Sequence, residues 1–465
     1  MDGGLPEPKC DRCEELLAII VALQMQVKEP TARLEKVERE GKRRAAPFRK
    51  KRKADPKKPG RKSGGDHGKH HRRAVPEKID ETYDVPLPAC CPDCSHRELT
   101  KTQTLVQFQT DIPRAVINRQ FNIEAATCCG CGSHVQSRHE LQTSDAVGAA
   151  GVQLGPNVHA AMALLNKELG LSHGKVKRLL KMLFDIHVSR STSCRSMLRT
   201  AGRLKNADAQ VRRAVRGSPQ VVGDETGWRV DGRGAWLHAF VGLTATCYEV
   251  DATRGVGPAQ RLLGIDWSGI FGHDGWAVYD KFTAATHQQC FAHLLRPSCS
   301  LIQSGTGGAL AFPRGVKDVL VEGLAYRNRF RLDEMTAHKM TAHGMKVMAD
   351  RLTMRTWELV RHPKTHAANE HFARFLKKLL DDLFTFLRHP GADATNWRGE
   401  QAIRPAVVNR KVWGGNRTEV GALAQSRIMS VMQTCKQRLA DPFDFIRRQL
   451  TATNPLLLPL PITAR

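Results

Sequence analysis

From Leu16 the apolar residues Ile20, Leu23, Val27, Leu34 and Val37 follow one another in alternating steps of four and three, the seam of a short coiled coil. Pro30 takes the next seam position, where its ring removes a backbone donor and kinks a helix, so two short helices without a partner are the competing reading. A coiled-coil segment over residues 10–40 would serve self-association. Over residues 105–123 the alternation changes to every second position, which predicts strands. Helical spacing returns after Ser172, a candidate N-cap, with Val176, Leu179, Leu180 and Leu183 on one face. After a turn near His187 a second helix is predicted over residues 192–199.

The character changes again at Gln220. Short β-rich runs at 220–223, 235–243, 247–250 and 269–273 precede helices predicted over 287–295 and through 316–387. Strands first and helices after fit an α/β domain with a helical insertion. A small duplication, 335–338 echoed by 340–343, is far too short for a repeat fold.

Composition adds a partner. The 465 residues carry 72 Lys and Arg against 46 Asp and Glu, a net charge of +26 that favours a polyanion such as DNA or RNA. Residues 42–73 hold fifteen Lys or Arg and only Asp55 and Asp66 as acids, with prolines and glycines between. Such a stretch cannot bury a core, so residues 41–80 read as a disordered basic linker that tracks a phosphate backbone, or as a plain solvated spacer. The longest apolar run, 16–23, is far below the roughly 20 residues a membrane helix needs, and no signal peptide is evident. The expectation is a cytoplasmic, DNA-associated protein.

In that reducing setting thirteen cysteines read as metal ligands or buried thiols. Cys91-Pro-Asp-Cys94 and Cys128-Cys-Gly-Cys131 are two C-x-x-C knuckles, each able to aim two thiolates at a tetrahedral ion, for which zinc is the natural occupant. They predict a small four-cysteine domain over 81–140, its strands forming a hairpin, with Cys90 and Cys129 as adjacent competitors. Cys10 and Cys13 form a further pair without a second knuckle nearby. Residues 150–215 read as a helix-turn-helix-like DNA-binding region, with Lys175, Lys177, Arg178 and Lys181 available for phosphates, or as an ordinary helical hairpin.

Three acids stand out. Asp224 and Asp274 each end an apolar run and are each followed closely by a Gly-Trp pair, as carboxylates on neighbouring strand ends would be. Glu400 is predicted to open or lie within a helix, with Arg404 one turn on. Three carboxylates can hold two divalent ions for phosphodiester chemistry, although any one of 46 acids taken alone is an ordinary surface group.

The order of these features resembles the transposases of the insertion sequence 66 family over nearly the whole chain. The local matches are Asp224-Glu-Thr-Gly-Trp228, Asp274-Gly-Trp276 with Tyr279-Asp280, Cys290-Phe-Ala-His293, and Glu400-Gln-Ala-Ile-Arg404-Pro with Arg410-Lys411. The resemblance implies a multidomain α/β chain: a coiled-coil start, a zinc-binding domain, and a ribonuclease-H-like DDE catalytic domain over 216–452 with a helical insertion at about 300–390. It implies Asp224, Asp274 and Glu400 as the triad for Mg2+ (or Mn2+), and Cys91, Cys94, Cys128 and Cys131 as ligands of structural Zn2+. His293 would neighbour the catalytic site, and Arg404, Arg410 and Lys411 would support it or contact DNA.

The implied activity is cleavage of terminal inverted repeats and joining of the freed 3′-hydroxyls to target DNA. Its implied partners are double-stranded DNA, a second copy in a homodimer or larger assembly, and other element-encoded proteins. Pro297 departs from the family pattern, which continues there with basic residues, and is predicted to stop its helix. The rival readings are a metal-dependent nuclease without strand transfer and a decayed copy acting only as a zinc DNA-binding protein.

Overall fold

The computed structural model describes residues 75–112, 115–335, 341–389 and 391–461. The coiled-coil segment, Cys10, Cys13, nearly all of the basic linker and the centre of the short duplication lie outside the described residues. The chain divides into two units, Met1–Ile112 and Pro113–Arg465.

In the first unit the described residues form turns and no helix or strand. The strands expected over 105–123 do not form on either side of the unit boundary; Leu105, Val106, Ile112 and Ile117 are exposed. Alternation marks a strand only where one face is buried and a partner supplies the ladder, and these residues have neither. The second unit instead starts with a short antiparallel hairpin, β1 (Ala125–Thr127) and β2 (His134–Gln136), which flanks the Cys128 knuckle.

Helices follow: α1 (Pro156–Ala163), α2 (His173–Phe184), α3 (Arg190–Arg203) and α4 (Lys205–Arg216). Ser172 caps α2 as expected, its Oγ accepting from Lys175 N at 3.3 Å, and Ser189 Oγ caps α3 through Thr192 N at 2.9 Å. The predicted turn lies between them, begun by Asp185 in a left-handed conformation at φ 56°.

The sheet comprises β3 (Gln220–Val230), β4 (Arg233–Val241), β5 (Thr246–Asp251), β6 (Ile270–His273) and β7 (Thr286–Gln289), with α5 (Gly257–Leu263) between β5 and β6. Its order is β5-β4-β3-β6-β7; β4 is antiparallel to β3 and β5, and β6 is parallel to β3 and β7. β3 outruns its expected end at Gly223. Asp231 and Gly232, at φ 51° and 73°, close a tight hairpin that keeps β3 paired with β4 as far as Val230. Asp224 therefore stands inside a strand, two residues beyond the last parallel pair with β6, Val222 with Gly272.

The rest is helical: α6 (Phe291–Ser304), α7 (Ala311–Met335), α8 (Ala342–Val360), α9 (Ala367–Lys378), α10 (Thr385–Arg388), α11 (Trp397–Trp413), α12 (Glu419–Gln437) and α13 (Pro442–Thr451). Two expectations fail at α6. Residues 287–289 are strand, because they pair with β6, and Pro297 lies inside the helix. The lost backbone bond and ring clash cost about 3 kcal/mol, a penalty that burial of Phe291, Leu294 and Ser298 on the inner face offsets. Residues 291–394 gather their own core, with Phe291, Leu320, Leu352 and Phe384 at its centre. Among the described residues no helix is long and apolar enough to cross a membrane.

Alternation along β3 serves two cores at once. Val221 joins Phe240 and Phe271 on one face, whereas Val222 and Trp228 face Ala402, Ile403 and Ala406 of α11 on the other. Edge strand β5 is covered by α12. Ser426, Ser430 and Thr434, one helical turn apart, accept the N–H groups of Val250, Tyr248 and Thr246 at 3.2, 2.8 and 3.1 Å. Four residues of helix advance about 6 Å and two of strand about 6.6 Å, so the two ladders stay in step.

Candidate active site

Asp224 and Asp274 leave adjacent parallel strands at equivalent positions, each two residues past the Val222–Gly272 pair. Both are half-buried. Asp224 Oδ1 accepts from Glu225 N at 3.0 Å, and Asp274 Oδ1 from Trp276 N at 3.0 Å. Glu400, also half-buried, comes from the first turn of α11. Burial pushes the Asp224 carboxyl up to about 7, and the charges of Glu225, Asp274 and Glu400 push the same way. The three acids predicted from sequence therefore share one electrostatic neighbourhood. Among the described residues no three His, Cys, Asp or Glu side chains are drawn closely enough to hold a metal ion as they stand. Three carboxylates without a counter-cation repel one another, which favours such spacing.

What brings α11 to β3 was not foreseen. Asn396, at the helix start and 2 % exposed, donates from Nδ2 to the Gly223 carbonyl at 3.1 Å, and its own N–H reaches Cys290 Sγ at 3.1 Å. Gly399 then lies against Asp224, with 3.1 Å between its would-be Cβ and the aspartate's. Nothing in the sequence around Asn396 marks it, because its partners Gly223 and Cys290 lie far along the chain. Cys290 opens α6, and burial raises its thiol pKa. One turn on, His293 keeps its Nδ1 buried with no partner among the described residues.

The tryptophans and arginines divide by role. Trp228 is buried, donating from Nε1 to Asn416 Oδ1 at 2.8 Å and meeting Trp413 edge-to-face at 5.6 Å. Trp276 is exposed. Arg410 donates from Nη1 to the Gly227 carbonyl at 2.5 Å, which ties α11 to β3, while Arg404 and Lys411 are exposed.

The opposite face of β3 carries a second acid. Glu225, with a side chain 3 % exposed, pairs with Arg254 (Nη2 to Oε1, 2.7 Å) and accepts from the Tyr279 hydroxyl at 2.9 Å.

Each cysteine knuckle has the same local turn within its own unit. Cys91 N donates to His96 O at 2.8 Å and Ser95 N returns to Cys91 O at 2.8 Å; Cys128 N donates to Ser133 O at 2.9 Å and Gly132 N returns to Cys128 O at 2.8 Å. Ser95 and Gly132 both take the left-handed conformation this turn demands. Backbone hydrogen bonds from Cys94 and Asp93 lower the Cys91 thiol pKa, and hydrogen bonds with Ser133 lower that of Cys131, in each case toward the metal-binding thiolate. On the exposed side of α2, Lys175, Lys177 and Arg178 face solvent, and Lys181 pairs with Asp185.

Among known families, the one described as Transposase IS66 family matches residues 151–424, a span that includes Asp224, Asp274 and Glu400 and begins after the four knuckle cysteines. No curated protein matches the chain.

Proposed function

The chain belongs to the IS66 transposase family, and from that premise we propose that it cuts the ends of an insertion sequence and joins the freed 3′-hydroxyls to target DNA at Asp224, Asp274 and Glu400. The observation that carries this reading is that Asp224 and Asp274 leave adjacent parallel strands at equivalent positions while Gly399, the residue before Glu400, packs against Asp224. The β5-β4-β3-β6-β7 order, with two acids on the central parallel pair, supports a ribonuclease-H-like core interrupted by a helical insertion at about 300–390.

The donor set fits the expected cofactor, because three carboxylates are hard oxygen ligands of the kind Mg2+ and Mn2+ prefer. Magnesium or manganese held by them would supply charge neutralisation at the phosphodiester and activation of the attacking oxygen. The chain's own part is positional. Asn396 and Gly399 fix the start of α11 against β3, which sets Glu400 relative to Asp224. His293, one turn from Cys290, offers a ring nitrogen without a partner among the described residues. The exposed cations of α2 suit duplex phosphates, and a dimer would let one assembly hold both element ends. Each C-x-x-C knuckle, with its shared turn, is read as a thiolate pair for structural zinc.

The test is strand transfer of a labelled terminal-repeat duplex into plasmid DNA with magnesium, comparing the parent with Asp224→Ala, Asp274→Ala and Glu400→Ala. Joined product from the parent alone, with end binding retained by all three variants, supports the reading. Nicking without joining would identify a nuclease, and binding without either reaction, even with accessory proteins, a DNA-binding protein only.

A further inference from the structure

We propose that Arg254 holds a backbone phosphate of the DNA at the rim of the sheet where Asp224 and Asp274 emerge; this rests on reading the chain as a DNA-cutting transposase.

Arg254 follows β5 and crosses the end of the sheet. Its Nε and Nη2 meet Glu225 Oε1 at 2.8 and 2.7 Å, and its guanidinium lies 4.9 Å from the ring centre of Trp236 on β4 and 4.1 Å from that of Trp276. One side chain thereby touches β3, β4 and the turn after β6. Each contact borders a site acid: Glu225 is the residue after Asp224, and Trp276 donates its N–H to Asp274.

Neutralising Glu225 explains only part of this. A carboxylate 3 % exposed needs a cation, and the Nε–Nη2 edge supplies it. Two indoles in addition hold the long side chain in place, at a position that leaves it 33 % exposed and its Nη1 donors without a protein partner among the described residues. A guanidinium ordered in advance, with spare donors, loses little entropy on meeting an anion, and its planar fork matches the oxygens of a phosphodiester. The same rim carries three carboxylates that repel a phosphodiester, so a fixed cation beside them offsets the repulsion where the strand must approach.

The test is fluorescence anisotropy of the full chain with a labelled 40-base-pair terminal-repeat duplex in EDTA, over a potassium chloride series, for the parent, Arg254→Gln and the charge-neutral double variant Glu225→Gln with Arg254→Gln. One lost phosphate contact lowers the slope of log affinity against log salt by about 0.9 and weakens binding by roughly tenfold. Both variants are expected to show that loss. Melting curves check their folding, and if Arg254→Gln unfolds because Glu225 is left unpaired, the double variant carries the test alone. A double variant that regains the parent's affinity and slope would overturn the proposal and leave Arg254 as the counter-ion of Glu225. A parent that binds no duplex would instead sink the underlying transposase reading, and this inference with it.

Discussion

Gly399 and Asp224 touch across the gap between α11 and β3, with no room between them for one methyl group: a Cβ on the glycine would stand 2.3 Å from Asn396 Oδ1 as well as 3.1 Å from the aspartate's Cβ. Gly399→Ala should therefore push the helix off the strand. Alanine's helix preference returns about 1 kcal/mol, but overpacking costs about 1–3 kcal/mol. A lower urea midpoint and a larger loss of end nicking than that destabilisation explains are expected. Unchanged nicking would mean that the close approach has no part in the reaction.

Ser430 is fully buried, and its Oγ accepts Tyr248 N while donating to Ser426 O at 2.7 Å. Ser430→Ala leaves the Tyr248 donor unpaired inside the protein. The expected loss is about 1–3 kcal/mol in denaturant titration, without any change in the salt dependence of DNA binding.

His159 is 3 % exposed, with Nδ1 2.7 Å from Ser196 Oγ. Burial, with the charge of Arg199 adding, lowers its pKa from 6.5 to about 4. The unfolded chain takes up a proton below pH 6.5 that the folded protein refuses until about 4, so this group's stability is whole above 6.5 and is lost as pH falls through that window. Between pH 7 and 5 the loss is about 2 kcal/mol. A His159→Asn variant, less stable at pH 7, should close most of that gap by pH 5; a gap that stays constant would contradict the assigned shift.

Zinc on the two cysteine knuckles is testable without DNA. Metal analysis of the purified chain should find zinc, and replacing Cys91 and Cys94, or Cys128 and Cys131, by serine should each lower it. Full zinc content in either double variant would remove that pair from the ligand set.

Much of the central architecture was legible because it rests on local rules. Ser172 announced a helix start, and Asp224 and Asp274, each behind an apolar run, announced neighbouring strands. The misreadings came where a partner decides the outcome. β3 looked finished at Gly223, although Asp231-Gly232 is a strong hairpin signal that extends it to Val230. Residues 287–289 are strand because β6 lies beside them, and Pro297 survives inside α6 because the helix buries its inner face. At the candidate site, the motifs around Asp224, Asp274 and Glu400 could be read directly from the sequence. Asn396 and Arg254 could not, since their importance lies in contacts across 173 and 29 residues of chain.

The hydroxyl ladder of α12 on β5 has a smaller counterpart at the far edge, where Thr385 of α10 donates its hydroxyl to the backbone carbonyl of His287 in β7 at 2.7 Å, and the Gln288 side-chain amide ties the same strand to Leu383 O at 3.0 Å and Phe386 N at 2.7 Å. Both borders of the sheet are thus closed by helical segments of the same chain. Adding a strand from another molecule to this sheet would first require displacing a helix, which favours side-chain surfaces over backbone ladders for any contact this part of the chain makes with a partner, and side-chain surfaces are the kind that sequence divergence can make selective.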